Sequence, residues 1–105
     1  MNEVIFTGVL KSIQSVTYGK EEEEKHNRVI FKLETEERNA QSLLLKCFGS
    51  MGDELAAMQL QPGSCTMNAY LDFKVRSYGE KEYQDIYVWK LDIMMNDGRS
   101  YTITR

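Results

Sequence analysis

The sequence predicts an all-β domain, a five-stranded barrel with one short helix between strands three and four. Three observations predict it. Apolar and polar residues alternate through most of the chain, which is the period of a half-buried strand. That period breaks once, over residues 50–60, where apolar side chains recur at near-helical spacing. The chain has 105 residues, 42% of them apolar and 28% charged, with one proline. That is the size and composition of a single globular domain, read here as residues 1–105, and a barrel is an economical way for so short a chain to enclose a core.

The first strand is EVIFTGVLKSIQSVTY, where Val4, Phe6, Leu10 and Ile13 surround Gly8. A glycine inside a strand marks a bend or a close backbone approach. The stretch GKEEEEKHN, residues 19–27, has no apolar residue and reads as a solvated loop. The second strand is RVIFKLETEE, with Val29, Phe31 and Leu33 alternating with Arg28, Ile30, Lys32 and Glu34. Residues 37–41 turn the chain. The third strand, SLLLKCF, puts Leu43, Leu45 and Cys47 on one face and Leu44, Lys46 and Phe48 on the other.

The helix is expected over residues 51–60, from Met51, Leu55 and Met58, with Ser50 or Asp53 as cap and Pro62-Gly63 as the stop. In SCTMNAYLDFKVR, Cys65, Met67, Ala69, Leu71, Phe73 and Val75 point one way; Thr66, Asn68, Tyr70, Asp72, Lys74 and Arg76 point the other. Residues 77–82, SYGEKE, read as a hairpin loop, and YQDIYVWKLDIM is the partner strand. Asn96-Asp97-Gly98 signals a turn, after which SYTIT could add a short last strand. Three strands, a helix and a long hairpin is the element order of the OB-fold, whose helix plugs the barrel floor.

Three stretches carry a family resemblance. FTGVLKSI sets a glycine between apolar residues of the first strand. LLLKCFGSMGDELAAMQLQPGSCTMNAYLDF ends a strand in Phe-Gly, continues through a helix and enters the fourth strand by Gly-Ser. KVRSYGEKEYQDIYVWKLDIM is a hairpin with a glycine-containing loop. Across residues 3–95 the pattern resembles the bacterial and phage single-stranded DNA-binding protein family. The resemblance implies an OB-fold and a single-stranded DNA ligand. Phe48 coincides with a base-stacking phenylalanine of that family, and Tyr78 lies close to a stacking tryptophan. The sequence departs near Ser42, where the family has another stacking tryptophan.

Single-stranded nucleic acid is held by cations along its phosphates and aromatic rings against its bases. The residues expected to do this are Arg28, Lys32, Lys46, Phe48, Tyr70, Lys74, Arg76, Tyr78 and Tyr83, in which basic and aromatic side chains share strand faces. Each has a plainer use. Phe48 also suits closing the barrel end, Tyr70 and Tyr83 suit cross-strand or dimer contacts, and Lys74 and Arg76 suit solvation of an exposed strand. Trp89 reads as a core or interface residue. The Glu21–Glu24 run lies in a loop that would flank the ligand, and its charge would repel phosphate; Lys20, Lys25 and Arg28 offset part of it.

The net charge of −3 and pI of about 5.2 count against a strongly basic binder. His26 is the single histidine, and no catalytic set, phosphate loop or metal-ligand spacing accompanies it. No enzyme, cofactor or metal site is therefore expected. No apolar stretch is long enough for a membrane span, and no signal peptide is visible. Cys47 and Cys65 read as reduced core residues, which suggests the cytoplasm.

The expected function is single-stranded DNA binding in replication, recombination or mobile-element maintenance; no ribose-reading signature separates DNA from RNA, so RNA stays open as a ligand. A homo-oligomer, dimer or tetramer, is expected from the exposed strands. The alternative is a protein-interaction OB module of a replication or conjugation complex that resembles primosomal replication protein B. The acidic balance and the missing tryptophan motivate it.

Overall fold

Branched and aromatic side chains pack well on a pleated surface, and they dominate the first segment. In the computed structural model, which describes residues 4–19 and 25–105, it forms β1 (Val4–Tyr18). Then come β2 (His26–Glu34), β3 (Ser42–Cys47), α1 (Gly49–Ala57), β4 (Cys65–Tyr78), β5 (Lys81–Met95) and β6 (Ser100–Thr104). Lys20 and the Glu21–Glu24 run lie outside the described residues.

The strands form one antiparallel sheet in the order β3-β2-β1-β4-β5-β6. Two features differ from the expected five-stranded barrel. SYTIT pairs with β5 as a sixth strand, and the hydrogen-bonded sheet does not close, leaving β3 and β6 as its edges. No helix among the described residues is long and apolar enough to cross a membrane.

β1 is long because it serves two neighbours. Val4–Val9 pair with β4, and Val9–Tyr18 pair with β2, so the strand must coil between them. Gly8 sits at the handover. A Cβ there would stand 2.8 Å from the carbonyl oxygen of Glu34, so the close approach anticipated at Gly8 is with β2. The register slips between Leu10 and Ser12, the signature of a bulge. The Leu10 carbonyl instead accepts the Gly63 N–H at 2.7 Å, which ties the loop after α1 to β1.

The alternation decides the core. Val29, Phe31 and Leu33 of β2, Leu45 and Cys47 of β3, and Cys65, Met67, Ala69 and Leu71 of β4 all face inward. Leu91, Ile93, Leu10 and Ile103 meet them, and Met51 and Leu55 of α1 close one end. No polar or charged residue among those described is buried there. Burial of the Cys47 thiol pushes its pKa up to about 12, and burial also raises that of Cys65.

Three local expectations need correction. The helix is shifted toward β3: it starts at Gly49 with Phe48 as an extended cap residue whose own side chain makes no capping bond. Ser50 is inside the helix, and Asp53 reaches sideways to β2 instead, accepting the Asn27 N–H at 2.6 Å. The helix ends at Ala57, well before Pro62, because Gln59 adopts a left-handed φ of 50° that a continuing helix cannot contain. The expected six-residue hairpin loop is a two-residue turn, Gly79-Glu80. Pairing runs out to Tyr78 and Lys81, and Gly79 takes the positive φ that such a turn needs at its first position.

Inward alternation along β4 continues past Leu71, but its burial does not. Phe73 and Val75 are exposed, as is Ile86 opposite Phe73. Residues 72–87 are thus a two-stranded arm that extends beyond the core. It begins where Trp89 is skipped in the pairing between Tyr70–Lys90 and Leu71–Val88.

Candidate nucleic-acid interface

The registers of β1, β2 and β3 build one outer face in rows. Residues directly opposite one another on paired strands point to the same side. Ser12, Lys32 and Leu44 make one row, and Gln14, Ile30 and Lys46 the next. Val16 pairs with Arg28, and Phe48 follows one step past the Val29–Cys47 pair. Tyr18 and His26 close the series.

The structure therefore brings Arg28, Lys32, Lys46 and Phe48 onto one surface. Phe48 is 46% exposed, so it does not close the core end; Met51 and Leu55 do that. The Nε of Arg28 is buried and has no hydrogen-bond partner. Carboxylates stand at the margins of this face. Glu34 pairs with Ser42 at one end, and Asp53 meets His26 at the other, 2.8 Å from its Nδ1. That contact, followed by the Asn27 N–H, holds the Asp53 carboxyl below its ordinary pKa.

Beside the face is a cleft of about 350 Å³ between β3 and the arm. Leu44, Lys46 and Phe48 form one wall; Gln84, Asp85, Ile86 and Tyr87 form the other. Four consecutive residues of β5 line it, so this wall is the strand's edge rather than either of its faces. No ladder joins β3 to β5 across the gap.

The other expected residues stand elsewhere. Lys74, Arg76, Tyr78 and Tyr83 share one face of the arm. The Lys74 ammonium lies 5.6 Å from the Tyr87 ring centre, and the Arg76 guanidinium lies 5.9 and 6.0 Å from the rings of Tyr78 and Tyr83. Arg76 is ion-paired with Asp85, which raises its pKa. Tyr78 and Tyr83 meet edge to face at 6.2 Å. Tyr70 is at the base of the arm and half-buried. Its hydroxyl donates to Asp92 at 2.9 Å, its ring packs 5.5 Å from Trp89, and the Lys90 ammonium lies 4.8 Å above it. The chemistry there is that of a cross-strand cluster.

Sequence reading puts Leu44 and Ile30 on the outward side of their strands without singling them out as site residues, and it misses Val16 and Tyr18. Leu44 is 60% exposed in the middle of the face, although it lies in the most apolar run of the chain. The signal for Tyr18 was present in the alternation Ser12, Gln14, Val16, Tyr18. Its meaning depends on the register that sets those positions beside Lys32, Ile30, Arg28 and His26. Among the described residues, no group of three histidine, cysteine or carboxylate side chains is placed to hold a metal ion. Compared with models of protein families and with curated proteins, the chain matches neither a family model nor a curated protein.

Proposed function

We propose that this chain is an OB-type module that binds single-stranded nucleic acid along the outer face of β1–β3 and the cleft beside it. One observation carries the reading: Arg28, Lys32 and Lys46 share a surface with an exposed Phe48, and among the described residues the carboxylates Glu34 and Asp53 stand at the ends of that face, with Asp85 across the cleft. Cations on this surface neutralise phosphates, and the ring stacks on a base. The unsatisfied Arg28 Nε gains from an incoming acceptor, because a buried donor without a partner is costly. The OB reading is supported by the coiled β1 shared between two partners, by the helix after β3 that closes one end of the core, and by the approach of β3 to β5 where a barrel would shut. The open edges of β3 and β6 offer pairing sites for a homo-oligomer.

The test is titration of a labelled thirty-base oligothymidine at low salt, with a duplex of the same length beside it. The single strand should bind more tightly, and Phe48→Leu should weaken it about 5- to 150-fold, the worth of one stacked base. No binding by the unaltered protein would refute the reading.

A second reading, a protein-interaction module of a replication or conjugation complex, rests on a different observation. Phe73, Val75 and Ile86 are exposed on the inward-alternating side of the arm, with Val75 66% exposed. An apolar ribbon of this kind suits a protein surface better than a phosphate backbone.

A further inference from the structure

We infer that base stacking on this surface does not stop at Phe48 but continues over Tyr18 and His26, making a three-ring strip that selects bases parted from one another. The inference rests on the nucleic-acid reading and names the part of the ligand that this end of the face takes.

The three rings come from the end of β1, the start of β2 and the end of β3. Tyr18 neighbours both of the others, 6.2 Å from His26 and 6.5 Å from Phe48, measured between ring centres. All three are accessible: Tyr18 is 39% exposed, Phe48 46%, and the His26 side chain 45%. Rings that served only to fill the core would be covered.

The packing leaves faces open. Tyr18 and Phe48 meet edge to face at 79°, so at least one face of each is uncovered by the other. Tyr18 and His26 are tilted by 41°. Two rings are also fixed by their polar ends. The Tyr18 hydroxyl accepts the Gly49 N–H at 3.1 Å, and the His26 Nδ1 meets the Asp53 carboxylate at 2.8 Å. Rings held this way lose little freedom when a ligand arrives, which is how preorganisation raises affinity.

Spacing then points to the class of ligand. Stacked bases of one strand advance about 3.4 Å per nucleotide. The ring centres here step by 6.2 and 6.5 Å, so neighbouring bases that each met a ring would be separated from each other. A single strand can separate its bases; a duplex must first unstack. Arg28 shares the row of Phe48, with the Tyr18–His26 pair on one side along the strands and the Lys46 row on the other, where a phosphate linking two such bases would run.

The experiment uses the full chain and the same oligothymidine, with an abasic strand of equal length as the second probe. Tyr18→Leu should weaken oligothymidine binding about 5- to 150-fold and leave the salt dependence unchanged. It should have little effect on the abasic strand. Tyr18→Phe keeps the ring but loses the bond to Gly49, and its affinity should stay within about twofold of wild type if the ring is what the ligand meets. The ring proton signals of His26, the sole histidine, should move on titration with oligothymidine. The inference fails if Tyr18→Leu binds like wild type while Phe48→Leu is weakened. It also fails if Tyr18→Phe is impaired as much as Tyr18→Leu, which would mark a structural role. Absence of binding by the unaltered protein would instead remove the nucleic-acid reading and this inference with it.

Discussion

Replacing Lys46 with alanine tests the charge logic of the face. Three cations stand there, Arg28, Lys32 and Lys46. Each phosphate neutralised on a single strand releases counterions and contributes about −0.7 to the slope of log affinity against log salt. Three contacts give a slope of about −2, so affinity should fall about 20-fold between 50 and 200 mM salt. Lys46→Ala should reduce the slope to about −1.4 and the fall to about 7-fold. Lys46 is exposed, so its removal should change folding stability by no more than about 0.5 kcal/mol. Fluorescence anisotropy of labelled oligothymidine at four salt concentrations reads both slopes. Arg99, ion-paired with Asp97 beyond the end of β5, is the control, and Arg99→Ala should keep the wild-type slope. A Lys46→Ala slope equal to that of wild type, in a protein that still binds, would refute the assignment of phosphate to this face.

Other outcomes follow from the packing. A methyl group at Gly52 would overlap the Asn27 backbone carbonyl and stand 3.0 Å from that of Cys47. Gly52→Ala should therefore destabilise the protein by about 1–3 kcal/mol in urea denaturation, even though alanine is the better helix former; a gain in stability would show that α1 shifts freely on β2. The Asp53 carboxyl titrates below its ordinary 3.8 because its ionised form is bound by His26 and the Asn27 N–H. A depressed carboxylate pKa contributes stability above the unfolded value, and the contribution is lost as pH falls through the folded value. The stability advantage of wild type over Asp53→Asn should thus be level above pH 3.8 and shrink below it, as followed by thermal melts; an advantage that grows on acidification would reverse the sign. With Cys47 pushed up to about 12 and Cys65 raised, both by burial, neither thiol should alkylate with iodoacetamide at pH 8 in the folded protein, and both should react in urea. Rapid native labelling would mean that the core opens.

Much of this architecture is written in a local period. Val29, Phe31 and Leu33 alternate with polar neighbours, as do Cys65, Met67, Ala69 and Leu71, and all of these are core residues. The Asn96-Asp97-Gly98 turn and the last strand are equally local. What alternation cannot tell is whether a second layer covers the face it defines. It runs unbroken through Phe73 and Val75, yet burial ends at Leu71, because among the described residues no other element covers the arm's inward side beyond it. The helix start was misjudged for a related reason. Capping preferences assume that the first N–H groups need a nearby side chain in sequence, whereas the Gly49 N–H finds the Tyr18 hydroxyl 31 residues away.

The binding face divides in the same way. Its cations and Phe48 were visible because residues two apart on one strand share a side. Their union with Tyr18 and His26, and their separation from Lys74, Arg76, Tyr78 and Tyr83, depend on strand order and register. Which residues alternate inward and outward is a property of the local chain, since side-chain direction along a strand follows from backbone geometry alone. Which outward faces adjoin is settled by the folded sheet, because neighbours across strands are chosen by long-range pairing that no local pattern encodes.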